Sequence, residues 1–521
     1  MSKIEYLEKR SIIIFRERYD KLVERRRMDM KDMADTVSQP TISSTCTSKT
    51  PEEVKIFDAR RKRCAERESR RIRRQRAREL QNPTVIQVHV DGTSTDDEEP
   101  QATIVKRSAD IDALLVDANA LFEDVVEEFC ELPLILERFI EWRNKYPESY
   151  QQAYVSLCLP QLFSPIIRIQ LIGWNPLNNH ANPIEEMKWF QDLLDFCHLP
   201  LVDNHKNTKS TILNHNKIDK SDNNNNNTAG NIDDDLRIIP KSIEKIVLQR
   251  INELVSASWD PLSEKQSLQL VNLMNNLCST YPTICIGSRP TEKLFTSIVK
   301  RIENTIQEDI FIPLYSKSLM QHRQSPAFIF FERQFNMGLK LLKNILLWSN
   351  LLSVDTLKHI SLTCLINRYL LVGLACLLSV VTMKSNEEKS NPIVNSLFST
   401  GLSIDQSGSL AFRDAVQKLK TIVDLLPYEW LKSSIPSVKQ DNDNNKMDNN
   451  DNDDDEESSS KVSLTGVSDP LNQIKRFLTQ LLENIPPTRM YSDINVGQAD
   501  IQIIERECMG TLLQLQDLLK N

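Results

Sequence analysis

The chain has 521 residues, 40% of them hydrophobic, and carries 64 Lys and Arg against 72 Asp and Glu for a formal net charge of −8. That length suits about two to four domains or one extended helical array, and the slightly low apolar share implies a real core interrupted by polar insertions. With only 11 glycines, the composition excludes Gly-rich phosphate loops and a β-protein dense in tight turns.

In chain order, residues 1–35 predict a charged, coiled-coil-like helix. Tyr6, Ile13, Phe15, Tyr19 and Leu22 supply a patchy apolar stripe, suited to a coiled-coil strand or to a helix laid on the main body. The N-terminal MSKIEYLEKRSIIIF holds only four consecutive apolar residues, so it is not a signal peptide. A linker over 36–51 follows. Residues 52–80 then predict an Arg-rich helix, and Arg60 to Arg78 alone hold eleven basic residues against two acidic ones. With almost no apolar face, this helix is not expected in a core. An acidic linker over 81–106 comes next. Asp91-Gly92 marks a turn, and the acidic run after it reads as a solvated loop. Ser94 and Thr95 each precede an acid by three residues, the pattern of an acid-directed phosphorylation site. VIQVHV, over 85–90, alternates only weakly.

From about Ile111 to Leu519 apolar residues recur at helical spacing, and 107–520 is expected to form one helical domain. Three polar stretches, about 202–236, 384–408 and 437–466, read as disordered surface insertions, because they cannot bury enough apolar area to offset ordering entropy. The densest aromatic and aliphatic stretch is Phe122–Leu177. Its prolines at 133, 147, 160, 165 and 176 are expected at helix ends or starts. Leu121, Phe122, Val125, Val126 and Phe129 predict one helix face, and Ile135, Leu136, Phe139 and Ile140 another. RIQLIGWNPL (168–177) echoes RINELVSASWDPL (250–262), which suggests in each a helix ending at Trp, an Asx N-cap and a Pro opening the next helix. Tyr369 to Met383 is the most apolar run. At 15 residues it falls short of the roughly 20 that span a bilayer, so it reads as a buried core helix with no membrane partner.

These blocks resemble the GC-rich sequence DNA-binding factor family. The resemblance is carried by FCELPLILERFIEWRNKYPESYQQAYVSLCLPQLFSPIIRIQLIGWNPL, by EDIFIPLYSKS (308–318), FERQFNMGLKLLKNILLWSNLL (331–352) and LINRYLLVGL (365–374), and by Trp259-Asp260-Pro261-Leu262-Ser263. ESRRIRRQRAREL and GTSTDDE agree as well, so it covers most of 55–435. It implies an all-α C-terminal domain, a nuclear location, and work in pre-mRNA splicing or transcription without enzymatic activity. Against that pattern the chain begins at the coiled-coil region, without the long polar N-terminal part, and its three insertions are unmatched.

The basic residues Arg60, Arg61, Lys62, Arg63, Arg70, Arg71, Arg73, Arg74, Arg76 and Arg78 admit three readings. They form a nuclear localisation signal, a contact to RNA or DNA phosphates, or a solvated helix paired internally to Glu66 and Glu68. No aromatics interleave them, which argues against base-selective single-strand reading. Trp142, Tyr146, Tyr150 and Tyr154 are either core or a partner-binding patch. The three tyrosines are four apart and would line one face of a helix begun by Pro147. The ten cysteines form no CxxC and mostly sit in apolar helical stretches, which fits a reducing compartment. No HExxH, GxSxG or P-loop occurs, so no metal, cofactor or catalytic residue is expected. The expected function is a nuclear splicing scaffold of the late, intron-lariat stage, with spliceosomal or other nuclear proteins as partners. The alternative is a DNA-binding transcription regulator, or an adaptor to chromatin-modifying enzymes.

Overall fold

The structure is a computed structural model, and it describes residues 2–38, 51–81, 91–93, 96–178, 181–198, 235–285, 287–320, 322–378, 406–431, 471–483 and 496–520. Helices dominate, and no strand occurs among the described residues. The chain divides into two units. The first holds 1–89, 94–309 and 347–353, and the second holds 90–93, 310–346 and 354–521.

In the first unit, α1 (Ser2–Ser38) lies along the body as a strut. Its inward residues are Ile4, Leu7, Ser11, Phe15, Leu22 and Val23, so the apolar stripe is offset from the expected one. Tyr6 and Ile13 are 65% and 57% exposed. Next come α2 (Pro51–Gln81) and α3 (Gln101–Asn119). Ile4 and Leu7 of α1 meet Leu114 and Ala118 of α3 together with Ile169 and Ile172, a cluster that closes one end of α1 over the body.

The stretch after α3 corrects one expected helix face. The helix stops at Asn119, a 3-10 turn follows, and α4 spans only Glu127–Cys130. Val126 and Phe129 are 65% and 60% exposed instead of buried. In α5 (Leu132–Lys145), Leu132 and Leu136 point inward, and Pro133 sits in the first turn, where its missing N–H costs nothing. Pro147 likewise opens α6 (Pro147–Gln152). Pro160 and Pro165, expected at helix ends, instead lie inside α7 (Val155–Gln170). The packing of Leu159, Phe163, Ile166 and Ile167 holds α7 together through the missing backbone bonds.

Helix α8 (Lys188–His198) is followed, after residues outside the description, by α9 (Ile238–Ser242), a π-helical turn over Ile243–Val247 and α10 (Leu248–Ser258). Asp235 and Leu236, assigned to an insertion in the sequence, are described. Asp235 is 2% exposed, so this insertion ends before it. Residues 202–234 lie outside the description, as do 384–405 and 437–466. Helices α11 (Glu264–Thr280), α12 (Pro282–Cys285) and α13 (Arg289–Asp309) complete the unit. Leu248, Ile251, Leu254 and Val255 of α10 face Leu294, Ile298, Ile302 and Ile306 of α13, all buried. Each such side chain contributes about 1.5–3 kcal/mol by leaving water. Trp259 and Trp348 meet edge-to-face at 5.8 Å, both almost fully buried.

The Trp-Asx-Pro-Leu echo is real but is not a helix start. Asn175 Oδ1 accepts from the Leu177 N–H at 3.0 Å, and Asp260 Oδ1 from the Leu262 N–H at 3.1 Å. Both are Asx turns, and the N-cap of α11 is Ser263. The two Arg residues that open the echoes both bind α1. Arg168 forks onto Glu8, and Arg250 reaches Ser11 at 2.6 Å.

In the second unit, α14 (Lys317–Met320) and α15 (Pro326–Leu346) precede α16 (Val354–Lys358), a π-helix over His359–Leu370 and α17 (Leu371–Leu378). Gly338 lets α15 approach the π-helix: a Cβ there would lie 2.8 Å from a Leu370 methyl. Val354–Leu378 is long and apolar enough to cross a membrane by length and composition, but 56% of its most apolar window is buried in the protein. Helix α18 (Gln406–Leu425) takes in Gln406–Gly408, so the second insertion is shorter than expected. It packs on α17 and on α21 (Val496–Lys520), with α19 (Tyr428–Leu431) and α20 (Asn472–Glu483) alongside. The Asp91-Gly92 turn forms as predicted. Gly92 has φ +92°, and the Asn336 side chain donates to the Asp91 carbonyl at 3.0 Å.

Candidate nucleic-acid interface

The Arg-rich helix α2 has two faces. Arg60, Arg63, Arg67, Arg70, Arg74 and Arg78 recur at three and four, the spacing of a helix seam, and all are half-buried or buried. The seam is ionic where a coiled coil would be apolar. Arg63 forks onto Asp32 with two 2.8 Å hydrogen bonds. Arg60 donates to the Asp32 carbonyl and to the Thr36 hydroxyl. Arg67 and Arg70 approach Asp29 at 3.8 and 3.2 Å. Only a planar five-donor guanidinium satisfies carboxylates this way, which is why arginine and not lysine fills the seam.

The acidic run Asp96–Glu99, expected as a solvated loop, is corrected: all four residues are half-buried and paired. Asp96 accepts from Arg70 at 3.1 Å and lies 2.7 Å from Arg74 and 3.4 Å from Arg25. Arg25 also donates to the carbonyls of Asp96 and Glu98. Glu98 accepts from Arg73 at 2.8 Å. Glu99 accepts from Arg18 at 3.0 Å and from Arg107 at 2.6 and 2.9 Å. Burial by itself raises the Asp96 carboxyl, but Arg25, Arg74 and Arg70 outweigh it and hold it below the usual carboxylate range. The same balance, with Arg107 and Arg18, depresses Glu99.

The outward face of α2 is different. Arg61, Lys62 and Arg76 are exposed and make no ion pair among the described residues. Val54, Ile56, Phe57, Ile72 and Leu80 are exposed beside them. Arg71 pairs with Glu68, as the solvated-helix reading expected, and Arg70 pairs with Glu66. Of the ten basic residues singled out in the sequence, Arg60, Arg63, Arg70, Arg71, Arg73 and Arg74 therefore have protein partners. Arg78 is half-buried next to Arg74, and its charged form is weakened first by burial and then by that neighbour. Sequence reasoning missed Arg67 and the acids Asp29, Asp32 and Asp96. The 3-4-3-4 spacing of the arginines was the available signal.

The aromatic patch separates as well. Tyr150 is 3% exposed and donates its hydroxyl to Asp235 at 3.1 Å, so it is a core residue and not a partner contact. The expected common face does not form. Helix α6 ends at Gln152, with Tyr146 before it and Tyr154, at φ +50°, after it. Tyr146 and Tyr154 are 64% and 69% exposed, and Trp142 is half-buried against Tyr150. The Asp235 carboxylate also binds Arg143 at 2.6 Å and Ser156 at 2.5 Å. Burial pushes the adjacent Cys197 thiol up to about 12, so it is no nucleophile at neutral pH. Cys278 is disulfide-bonded, which the expected reducing setting did not anticipate. Ser94 and Thr95 lie outside the described residues. An open cleft of about 800 Å³ in the first unit is lined by Trp174, Asn175, Asn178, Met187 and Lys188. No group of three His, Cys, Asp or Glu residues suited to a metal ion occurs among the described residues.

Fold and site together define an all-helical protein with a cationic helical hairpin fastened to its body by arginine–carboxylate pairs. Residues 132–372 match the model of the GC-rich sequence DNA-binding factor-like protein family, and the chain belongs to that family. Over 365 residues it is 31% identical to PAX3- and PAX7-binding protein 1 of Mus musculus, covering 69% of this chain and 37% of that protein. Over 307 residues it is 37% identical to Intron Large complex component GCFC2 of Mus musculus, covering 59% and 36%. Transcriptional repressor ILP1 of Arabidopsis thaliana is 26% identical over 232 residues, covering 44% and 22%. The chain thus spans little more than a third of the length of the two mouse relatives.

Proposed function

We propose that this protein is a nuclear, non-enzymatic scaffold of pre-mRNA splicing that acts in an intron-lariat complex. In this reading the helical body of 107–520 binds spliceosomal or other nuclear proteins, and the outward face of α2 supplies RNA contact or nuclear import. The observation that carries it is the division of α2. Its inner arginines are committed to the body, while Arg61, Lys62 and Arg76 face outward beside exposed apolar side chains. The similarity to a protein named as an Intron Large complex component supports the setting. Tyr146 and Tyr154 are the aromatics left to anchor a partner, and Ser94 and Thr95 are proposed phosphoacceptors. A second reading, transcription regulator or adaptor, is favoured by the names of the PAX3- and PAX7-binding and repressor relatives. Purification of the tagged full chain from nuclei separates the two. Intron lariats and spliceosomal proteins are expected in the eluate. Sequence-selective chromatin occupancy without lariats would move the assignment to the second reading.

A further inference from the structure

Residues 96–99 lead into Pro100, which precedes α3. Asp96 and Glu98 face the arginines of α2, while Asp97 turns away and accepts from Ser263. Across the run, Asp96, Glu98 and Glu99 engage Arg18, Arg25, Arg70, Arg73, Arg74 and Arg107. The acids of α1 alone do not balance the eleven basic residues over 60–78. The acidic run supplies part of the missing negative charge, at Arg70, Arg73 and Arg74.

We propose that Asp96–Glu99 is an intramolecular mimic of a nucleic-acid backbone, holding the arginines of α1 and α2 closed until a longer polyanion displaces it. This rests on the reading of α2 as a nucleic-acid contact and adds its regulation. Three observations support it. The fork geometry by which arginine binds a carboxylate is the one by which it binds a phosphate. The pairs are reachable: Arg73 and Glu98 are 55% and 34% exposed, and Arg74 and Asp96 are 19% and 23% exposed. The mimic is tethered on one side by the Glu99–Arg107 fork, so its effective concentration is high. A single phosphate therefore competes poorly, and a strand that offers several phosphates at once competes well.

The test compares the full chain with its Asp96→Asn, Glu98→Gln double variant by fluorescence anisotropy on a labelled polyuridylate of about 20 nucleotides. The variant is expected to bind about tenfold more tightly at about 0.1 M salt. Its salt dependence is expected to be steeper by about two, because each phosphate newly neutralised on a single strand adds about 0.7 to the slope. Equal or weaker binding by the variant overturns the mimic. Binding by the unaltered chain that the exchanges leave unchanged removes the mimic and keeps the contact. No binding by either chain removes both. Should the double variant lose its helical circular dichroism, Glu98→Gln alone decides, because Glu98 lies on the exposed side of the cluster. A two- to threefold tightening is expected, and none overturns the proposal.

Discussion

Arg250 and Ser11 lie 239 positions apart in the chain, and the guanidinium of the first donates to the hydroxyl of the second over 2.6 Å. The Ser11 hydroxyl in turn donates to the Ile172 carbonyl at 2.6 Å, and Arg250 reaches the same carbonyl at 2.9 Å. Three segments remote in sequence are thus locked by one buried triangle. Removing the guanidinium takes a donor from both the Ser11 hydroxyl and the Ile172 carbonyl, which keep only their bond to each other. Arg250→Ala is expected to cost about 3 kcal/mol and Ser11→Ala about 1 kcal/mol in urea denaturation, with the double variant costing less than the sum.

Asp235 gathers Arg143, Tyr150 and Ser156 on one buried carboxylate. Breaking a buried pair leaves an uncompensated charge, so Asp235→Ala is expected to lose about 3–5 kcal/mol. Asp235→Asn keeps part of the hydrogen bonding and should lose less. Because Cys197 Sγ lies 3.2 Å from the Asp235 carbonyl, the two ends of the intervening stretch already meet. Replacing 200–233 with a short Gly-Ser linker is expected to leave thermal stability unchanged or raised by about 1 kcal/mol, since a shorter loop closes at lower entropy cost. A loss of stability would show that the stretch packs on the body.

The ionic seam makes the α1–α2 hairpin sensitive to acid. Asp32 is depressed, first by the hydrogen bonds from Arg63, and Asp96 and Glu99 are depressed by the arginines around them. A carboxylate with a lowered folded-state pKa contributes stability that is full above its unfolded value near 4 and is lost as pH falls through the lowered one. Asp309 opposes this in sign: burial raises it despite Arg26 and Arg27, so its protonation relieves strain as pH falls. The protection factors of the α2 amides, taken relative to unstructured exchange at the same pH, are expected to be unchanged from pH 7 to 5 and to fall below about pH 4. Salt should add to the effect at the exposed Arg73–Glu98 pair and little at Arg70–Asp29.

Gly92 combines φ +92° with a Cβ position 2.4 Å from the Arg333 carbonyl oxygen. Backbone cannot yield there as a side chain can. Gly92→Ala is expected to destabilise the second unit by about 2 kcal/mol, measured as a lowered thermal midpoint. A neutral outcome would mean that the turn leaves α15 readily.

Spacing made part of this legible. The inward Leu136, the Asp91-Gly92 turn and the helix over Arg60–Arg78 all follow from local pattern. Partnership did not follow. Asp235 ends a polar run that reads as loop, and nothing local shows that Arg143 waits for it. Tyr146, Tyr150 and Tyr154 look equivalent at a spacing of four, but α6 is too short to carry all three, and only Tyr150 turns inward. Four consecutive acids next to a turn look solvated until arginines from residues 18 to 107 converge on three of them and Ser263 on the fourth. Pro160 and Pro165 broke a local rule because burial of Leu159, Phe163, Ile166 and Ile167 outweighs two missing hydrogen bonds.

The fastening of α1 also sets an order of events. It leaves the ribosome before the segments it is fastened to, so Glu8 waits for Arg168, Ser11 for Arg250, Arg26 for Asp260 and Arg27 for Glu308. At about 5–20 residues per second, the last of these partners arrives roughly 15–60 s after α1 is made. Until α3 and the body follow, the helix exposes Ile4, Leu7 and Phe15, which is a window for chaperone capture. Its natural companion in that window is α2, whose Arg63, Arg67 and Arg70 already meet Asp32 and Asp29. The hairpin is therefore the part of the first unit able to assemble during synthesis, with the body closing onto it afterwards.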